Sequence, residues 1–284
     1  AVASVNYATA SGTAVSGVDF LPATGTLNFS SGTSLTVTVP IIGKVLKEAN
    51  ETFFLNLSGA VNATIADNQG VGIIIDEDRA YNADFDRDLI ADLSIFRPSE
   101  GTWYVFRSAS LSPLIVPFGS PGDRPVPGDY DGDGLTDFAV FRPSEGKWYV
   151  SNSTNGSVVT TTWGTTGDKP VQGDYDGDGK TDIAIFRPSD GNWWIIRSSD
   201  SISYTVNFGV STDLPMQGDY DGDFRTDPAV YRDGAWFALL SSNSTVQVVN
   251  FGLATDKPVS GDFDGDGKYD AAIFRDGDWW YQSS

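Results

Sequence analysis

The chain of 284 residues contains no cysteine and no histidine. Their absence excludes disulfides, thiolate and imidazole metal ligands, a cysteine nucleophile and a Ser-His-Asp triad. The sequence also has no run of about 18 apolar residues, so it has no candidate membrane-spanning helix. Only oxygen ligands are left for binding a cation, and the chain is rich in them.

Aspartate accounts for the acidity of the chain, whose formal net charge is −20. The stretch GDYDGDGLTD begins at Gly128 and recurs with changes at Ala83, Gly173, Gly218 and Gly261. Together the five motifs hold 20 of the 33 aspartates, a number equal to the whole net charge. Because such a charge repels phosphate groups, we expect neither nucleic acid nor an anionic membrane as a partner.

The motifs recur with a nearly constant period. Their first aspartates are spaced by 45, 45, 45 and 43 residues: Asp84, Asp129, Asp174, Asp219 and Asp262. A regular period of this length indicates one supersecondary unit per repeat. The last interval is shorter because a two-residue Asp-Gly turn replaces the Arg-Pro-Ser-Glu/Asp-Gly turn of the earlier repeats, and Asp-Gly favours a tight hairpin.

Each repeat predicts four short strands, of the kinds KPVQGDY, TDIAIFR, NWWIIRS and VVTTTWG. The second kind is apolar on both faces, as at Leu93 and Phe96, which predicts burial between sheets. Four strands per repeat without helical periodicity are typical of propeller blades. We therefore predict an all-β fold in which residues 79–284 form a β-propeller of five repeats. The last blade is incomplete, since DWWYQSS is not followed by a strand ending in Phe-Gly.

Residues 1–78 lack this period. Apolar residues alternate with polar ones at 35–41 and again at 53–57, which predicts half-buried strands of an antiparallel sandwich. The segment EDRAYNADFD aligns without gaps on GDRPVPGDYD of the next repeat, so we expect a stiff joint with almost no linker. The chain begins inside a strand-like segment, and we expect a mature or excised piece of a longer protein.

In the spacing D-x-D-x-D-G-x-x-D, positions are counted from the first aspartate. When the loop curls, the side chains at positions 1, 3, 5 and 9 and the backbone carbonyl at position 7 can point at one centre. This all-oxygen shell suits Ca²⁺ better than Mg²⁺, which demands octahedral order. Without a cation, the crowded carboxylates would repel one another. The predicted ligands are Asp84, Asp86, Asp88, Ile90, Asp92, Asp129, Asp131, Asp133, Leu135, Asp137, Asp174, Asp176, Asp178, Lys180, Asp182, Asp219, Asp221, Asp223, Arg225, Asp227, Asp262, Asp264, Asp266, Lys268 and Asp270.

We predict up to five Ca²⁺ ions, one per repeat. Gly134, Gly179 and Gly267 permit the sharp turn at position 6, whereas Leu89 and Phe224 require a strained or altered turn and predict weaker sites. An Asp-Gly-rich surface turn that binds nothing is the alternative. Acid–base catalysis uses one carboxylate pair in one cleft, not five equivalent clusters, so we expect no enzyme.

Tryptophan occupies one position of every repeat, and another aromatic residue follows it. These residues either fill the gaps between blades or form sugar-stacking platforms, and their periodicity with the fold favours packing. If sugars bind, the second residue of each pair is the better candidate, since alternation turns it to the other face. The pairs are Trp103-Tyr104, Trp148-Tyr149, Trp193-Trp194, Trp236-Phe237 and Trp279-Trp280. The repeated arginines predict ion pairs with nearby carboxylates: Arg97, Arg142, Arg187, Arg232 and Arg275.

The sequence resembles two known families. The pattern DYDGDGxTDxAxFRPSxGxWY is similar to VCBS/FG-GAP calcium-binding β-propeller repeats over residues 79–284. YATASGTAVSGVDF, EANETFFLNLS and IIIDED resemble a Calx-β domain over residues 1–78, although its usual first strand is missing. The Calx-β resemblance implies an immunoglobulin-like sandwich with these acidic candidates for a calcium site: Asp19, Glu48, Glu51, Asp76 and Asp78. The acidic pair of that family is replaced near Gly43-Lys44, which argues against calcium there.

Both resemblances imply an extracellular or cell-surface adhesion or structural protein. The open ends predict either a fragment or a filament subunit assembled by strand complementation, with copies of itself or neighbouring domains as partners. A carbohydrate-binding module that recognises surface glycans, or an accessory region of a larger glycan-active enzyme, is the alternative. An excess of N-x-Ser/Thr sequons predicts a glycoprotein: Asn28, Asn50, Asn56, Asn62, Asn152, Asn155 and Asn243.

Overall fold

β-Strands are the only regular elements in the described part of the chain. The computed structural model describes residues 2–29, 34–42, 51–74, 83–88 and 90–284. Within these ranges no helix is long and apolar enough to cross a bilayer. The predicted all-β fold class is confirmed. The chain divides into two compact units, Ala1–Arg79 and Ala80–Ser284.

Among its described residues, the first unit shows one four-stranded antiparallel sheet in the order β2-β1-β3-β4. Its strands are β1 (Ala3–Ser11), β2 (Thr24–Phe29), β3 (Glu51–Val61) and β4 (Gln69–Ile74). Tyr7 in the middle of β1 lies opposite Gly25 of β2 and Leu57 of β3. The buried Phe20 packs on Phe53 of β3, with ring centroids 4.9 Å apart.

The two strands predicted from alternation in this unit have different outcomes. Residues 53–57 lie within β3 and are half-buried, as expected. Residues 35–41 do not form a strand, and that prediction is wrong. A strand needs a neighbour along its length. Among the described residues, only Ile41 forms a bridge, with Phe20, and both Leu35 and Ile41 are exposed.

The second unit consists of successive antiparallel sheets, one per repeat, which we call blades 1 to 5. Blade 1 contains β5 (Leu93–Arg97), β6 (Thr102–Arg107) and β7 (Ser112–Val116). Blade 2 contains β8 (Arg124–Pro125), β9 (Phe138–Arg142), β10 (Lys147–Ser151) and β11 (Val158–Thr162). Blade 3 contains β12 (Lys169–Pro170), β13 (Ile183–Arg187), β14 (Asn192–Ile196) and β15 (Ser203–Asn207).

Blade 4 contains β16 (Leu214–Pro215), β17 (Ala229–Arg232), β18 (Ala235–Leu239) and β19 (Val246–Asn250). Blade 5 contains β20 (Lys257–Gly261), β21 (Asp270–Arg275) and β22 (Asp278–Gln282). The prediction of four strands per repeat is confirmed for blades 2, 3 and 4, while blades 1 and 5 show three strands among the described residues. Closure of the blades into a ring stays a prediction.

The short hairpin of blade 4 has the predicted tight turn. Arg232 and Ala235 lie opposite each other across β17 and β18. Between them, Asp233 and Gly234 have φ angles of 50° and 91°. Positive φ at both central residues is the signature of a type I′ turn, whose twist matches that of the flanking strands. The shorter repeat therefore keeps the hairpin.

Each blade has two faces that pack differently. The forward face carries the repeated tryptophan and contacts the next blade, whereas the opposite, rear face contacts the preceding one. Trp148 and Phe141 of blade 2, for example, form one cluster with Ile185 from the rear face of blade 3. The indole N–H of Trp148 donates to the carbonyl of Trp163 over 2.9 Å, which satisfies its buried polar atom.

The same packing holds between the other neighbouring blades. Trp193 clusters with Val230 of blade 4, and Trp236 clusters with Ile273 of blade 5. Trp103 meets Phe138 of blade 2, with ring centroids 5.6 Å apart. The interpretation of the tryptophans as packing residues is thus confirmed for blades 1 to 4.

Leu93 is not buried between sheets, contrary to the prediction. It lies on the rear face of blade 1 and is exposed. Its counterparts in blades 2 and 3, Phe138 and Ile183, are half-buried. The reason is positional, because no described blade packs behind blade 1.

The repeated arginines pair with carboxylates as predicted. In blade 3, Nε and Nη2 of Arg187 each donate to a carboxylate oxygen of the buried Asp168 over 2.9 Å. The guanidinium also lies 5.1 Å above the ring of Trp194. Blades 2, 4 and 5 repeat the ion pair with Arg142–Asp123, Arg232–Asp213 and Arg275–Asp256. Arg97 pairs instead with the exposed Glu100.

We expect Arg187→Ala to lower the free energy of unfolding by about 2–3 kcal/mol, because it leaves the buried Asp168 carboxylate without its partner. Arg197→Ala in the same blade is the matched control. Arg197 forms an exposed pair with Asp200, which is worth about 1 kcal/mol at most. Urea denaturation of both variants measures the difference. Equal losses would show that the repeated pair is no more than a surface contact.

Candidate metal centres

Three carboxylates gather at one point in each of the five acidic loops, numbered 1 to 5 after their blades. One oxygen each from positions 1, 3 and 9 lies within 4.8 Å of the others. Three of the five predicted ligand positions are therefore brought together, including the first and the last. The triads are Asp84-Asp86-Asp92, Asp129-Asp131-Asp137, Asp174-Asp176-Asp182, Asp219-Asp221-Asp227 and Asp262-Asp264-Asp270.

The position 1 aspartate curls each loop. In loop 2, Asp129 Oδ1 accepts the N–H of Gly132 over 2.6 Å, and Oδ2 accepts that of Gly134 over 2.9 Å. These bonds hold the chain in a tight turn around the carboxylate. Both glycines have left-handed φ angles, of 83° and 85°. The glycine at position 4 was missed by sequence reasoning, although it is repeated in four of the five motifs.

Loop 4 keeps the same turn without a glycine at position 6. Phe224 has a φ angle of 71°, and its N–H reaches Asp219 Oδ2 over 2.9 Å, as Gly134 does in loop 2. The turn is therefore strained rather than altered, because left-handed backbone is costly for a residue with a Cβ atom. In loop 1, Arg87 occupies position 4 with a φ angle of 67°. Leu89 lies outside the described residues.

The position 9 aspartate ties each loop to its blade. Asp137 is fully buried at the start of β9. Its Oδ2 accepts the N–H of Tyr130 over 2.8 Å, and its Oδ1 accepts that of Ser153, after β10, over 2.6 Å. The same two bonds recur with Asp92, Asp182, Asp227 and Asp270. One carboxylate thus links the loop, the strand that follows the loop (β9 in blade 2) and the backbone just after the next strand (β10 in blade 2).

The position 5 aspartate faces a serine hydroxyl and lies outside the triads. In loop 2, the Ser153 hydroxyl donates to Asp133 Oδ1 over 2.9 Å. Sequence reasoning missed these serines, whose signal is a serine at the end of the third strand of each repeat. The corresponding pairs are Ser108–Asp88, Ser198–Asp178, Ser241–Asp223 and Ser284–Asp266.

Position 7 donates its N–H to the position 5 carboxylate, as Leu135 does to Asp133 over 2.9 Å. This bond fixes the peptide group that carries the predicted carbonyl ligand. Metal binding by that carbonyl and by the position 5 carboxylate stays a prediction. The other position 7 residues make the same bond: Ile90, Lys180, Arg225 and Lys268.

Burial makes the position 9 carboxylates of loops 3 and 4 reluctant to ionise. It raises the pKa of Asp182 and of Asp227 to about 6 each, from an ordinary value of 3.8. In loop 1, partial burial and then repulsion from Asp92 and Asp88 raise the pKa of Asp86. The Oδ1 atom of Asp86 is buried and has no hydrogen-bond partner among the described residues. A cation held by oxygen ligands would satisfy that atom and offset the repulsion.

Hydrogen bonds join neighbouring loops into a row. The N–H of Thr136 at position 8 of loop 2 donates to the carbonyl of Asp84 in loop 1 over 2.8 Å. Thr181, Thr226 and Tyr269 make the same bond to the preceding loop, over 2.6–2.7 Å. The backbones of successive loops are therefore directly hydrogen-bonded to one another.

The acidic candidates of the first unit are only partly described. Asp19 is buried, and its Oδ2 accepts the N–H of Val15 over 2.6 Å, so it holds a turn. Glu51 begins β3. Glu48, Asp76, Asp78, the Gly43-Lys44 segment and the sequon at Asn50 lie outside the described residues. A cation site in this unit stays untested.

Family comparison agrees with both parts of the sequence reading. The model of the Calx-beta domain matches residues 1–78, and that of the FG-GAP-like repeat matches residues 129–185. Both resemblances are confirmed. The second match covers loops 2 and 3 together with the strands that they precede. No curated protein matches the chain.

Several solved structures are similar to the chain. The apo-form Calx CBD1 domain is 29% identical over 27% of this chain and 71% of that one, with a TM-score of 0.26. The calcium binding domain CBD12 of CALX1.1 is 17% identical over 68% of this chain and 65% of that one, with a TM-score of 0.28. BBS1N in complex with ARL6DN is 11% identical over 68% of this chain and 64% of that one, with a TM-score of 0.40.

We expect Phe224→Gly to stabilise the chain by about 1 kcal/mol, because it relieves the left-handed strain in loop 4. Gly134→Ala in loop 2 is the matched opposite change. No atom lies within 4 Å of the added Cβ there, so strain alone should destabilise the chain by a similar amount. Chemical denaturation with and without cation measures both effects. A destabilising Phe224→Gly would show that the side chain contributes more than its strain costs.

Without a cation, we expect stability to fall as the pH rises from 4 to 6. The pKa values of Asp182 and Asp227, about 6, exceed the ordinary 3.8, so the folded state binds more protons than the unfolded state. Their contribution is complete below the ordinary value and is lost as pH rises through the folded one. Urea denaturation in chelator tests this, with Asp182→Asn/Asp227→Asn as the control that should flatten the profile. A wild-type profile that rises over this range would contradict the assignment.

Proposed function

We propose that the chain is a non-catalytic, calcium-stabilised structural module of an extracellular or cell-surface protein, with a role in adhesion or surface assembly. The observation that carries this proposal is the row of five equivalent carboxylate triads, each built into the start of a blade. One triad would suffice for a single binding event. Because the triads repeat once per blade, we expect bound cations to stabilise the fold itself.

Calcium is the cation that this donor set suits best. The triads offer only oxygen, and Ca²⁺ accepts six to eight such ligands in variable geometry. Positions 5 and 7 belong to the same loops and would complete the shell. Five Ca²⁺ ions would offset half of the net charge of −20.

Calcium bound at a triad would stiffen the row of blades. The position 9 carboxylate already joins the loop to the ends of two strands, as Asp137 does through Tyr130 and Ser153. The position 8 N–H joins it to the preceding loop. A bound ion cross-links these contacts at one point, so its binding free energy adds to the stability of the folded state.

The repetition of the triads argues against catalysis. Acid–base chemistry on a glycosidic bond requires two carboxylates with different environments in one cleft. Here the corresponding carboxylates of every loop make the same hydrogen bonds. These hydrogen bonds therefore do not single out any one loop as a catalytic site.

Carbohydrate binding is the second candidate. The repeated tryptophans of blades 1 to 4 are buried, and the aromatic residues that follow them are covered by arginine, as Tyr149 is by Arg142 at 4.4 Å. Trp280 on β22 is exposed and supports this candidate. Glycan binding that fails in Trp194→Ala or Trp280→Ala but survives loss of a calcium loop would favour it.

A filament assembled by strand complementation is the finer form of the structural proposal. Within the described residues, β22 pairs only with β21, so its outer edge is open. An open edge accepts a strand from another chain. This arrangement supports the filament without specifying the donor strand.

We expect calorimetric titration to detect up to five Ca²⁺ ions, and Asp176→Asn to remove one of them. Asp190→Asn in the same blade is the matched control, since it removes the same charge from an exposed turn outside the triad. Calcium should raise the melting temperature and slow proteolysis of the wild type and the control more than of Asp176→Asn. Failure to bind calcium at millimolar concentration, or equal binding in all three proteins, would overturn the proposal.

A further inference from the structure

In loops 2, 3 and 4, position 4 lies against position 7 of the next loop. The cause is local, because the N–H at position 8 donates to the position 1 carbonyl of the preceding loop and so brings position 7 close to that loop. A Cβ atom on Gly132 would lie only 2.6 Å from Cε of Lys180 in loop 3. On Gly177 it would lie 3.1 Å from Nε of Arg225 in loop 4. Glycine at position 4 thus makes room for a basic side chain from the next loop.

The gap between loops 1 and 2 also holds a basic side chain, but the two loops exchange roles there. Position 7 of loop 2 is Leu135, which carries no charge, and position 4 of loop 1 is Arg87 instead of glycine. Nη2 of Arg87 donates to the carbonyl of Asp133 in loop 2 over 3.0 Å and to its Oδ2 over 3.2 Å. Where the later loop has no basic residue at position 7, the earlier loop therefore supplies one at position 4.

Each of the four gaps between described loops thus holds a basic side chain, which we call a gap residue. The gap residues are Arg87, Lys180, Arg225 and Lys268, the last of which lies against Gly222 of loop 4. Each lies between two loops that carry four aspartates apiece. A positive charge in this place attracts the carboxylates of both loops and repels a divalent cation bound to either. The same charge therefore stabilises the loops without metal and opposes metal binding.

We propose that the gap residues set the calcium concentration at which the row of loops fills, because they are fixed positive charges that hold neighbouring loops together and compete with the ions. This inference rests on the proposed calcium-binding function and names the residues that regulate the same sites. The exchange between loops 1 and 2 supports a role of charge rather than of packing. The side chain there differs in type, in loop and in position, while the positive charge remains.

The charge of a gap residue acts on a site in the neighbouring blade. Lys180 belongs to loop 3, where its N–H donates to Asp178 over 2.9 Å, yet its side chain lies on Gly132 of loop 2. Gly132 stands between two predicted ligands of loop 2, Asp131 and Asp133. Removing the charge of Lys180 should therefore change calcium binding at loop 2.

Competition against a fluorescent calcium chelator in low salt tests the inference. Lys180→Met keeps an unbranched side chain and removes its charge, so it should raise calcium affinity about threefold to tenfold, as expected for loss of one repelling charge close to a divalent ion. Lys147→Met is the matched control, because Lys147 pairs with the exposed Glu145 at the other end of β9 from loop 2. Weaker binding in Lys180→Met, or an equal change in both variants, would overturn the inference.

A double mutant identifies the site on which Lys180 acts. Asp131→Asn removes a carboxylate from the triad of loop 2. In that background Lys180→Met should change calcium affinity less than it does in the wild type, because interacting sites are not additive. An undiminished effect would contradict the action of Lys180 on loop 2.

The exchange between loops 1 and 2 provides a rescue. Arg87→Gly should raise calcium affinity, and the further change Leu135→Lys should lower it again, since it places the charge where loops 3, 4 and 5 have it. Leu135→Met in the same background is the control and should lower nothing. A Leu135→Lys variant that behaves like Leu135→Met would show that charge in this gap is not the cause.

Urea denaturation in chelator separates this inference from the proposed function, because it needs no bound metal. Lys180→Met should unfold at a lower urea concentration than Lys147→Met in low salt. The difference should shrink at about 1 M salt, where the screening length falls to about 3 Å. Equal midpoints, or a difference that salt leaves unchanged, would overturn the inference even if calcium binds. A wild type that binds no calcium would overturn the proposed function, and the calcium threshold with it.

Discussion

The repeats depend on one constraint, which is that a blade is apolar on both faces and cannot bury either face alone. A neighbour must cover each face, and the forward face of one blade fits the rear face of the next. The tryptophan fills this interface, and its indole N–H is satisfied by a carbonyl within its own blade. Stability is then shared along the row, as in other repeat proteins.

The acidic loops form a second row, one of negative charge, which follows the row of packed blades. Each loop begins beside a buried strand, so its position 9 carboxylate is desolvated, and the pKa of Asp182 rises to about 6. The carboxylates are held close by backbone N–H groups rather than by one another, since like charges repel. A divalent cation bound there would offset this repulsion. Such an ion would connect the turn of each loop, its blade and the row of loops through the oxygen atoms of a few carboxylates.

Sequence patterns succeeded where a feature is local or repeated. The Asp-Gly hairpin at Asp233 follows from backbone sterics within four residues. The gathering of positions 1, 3 and 9 follows from a loop that curls on itself. Patterns failed where burial depends on a distant partner. Residues 35–41 alternate like a strand but have only the Ile41 bridge among the described residues. Leu93 has the composition of a buried position but lacks a covering blade.

By itself, the sequence determined the all-β class, the repeat with its near-constant period and the acidic loops, because each depends on short-range geometry copied along the chain. Only the tertiary structure decided the partners. The position 5 carboxylate accepts a hydrogen bond from a serine at the end of the third strand, as Asp133 does from Ser153. Backbone hydrogen bonds also link each of loops 2 to 5 to the preceding loop. The tertiary structure also left Trp279 and Ile95 in solvent while burying their counterparts. Residues with the same sequence environment differ here because burial is a property of the neighbour, which no local pattern encodes.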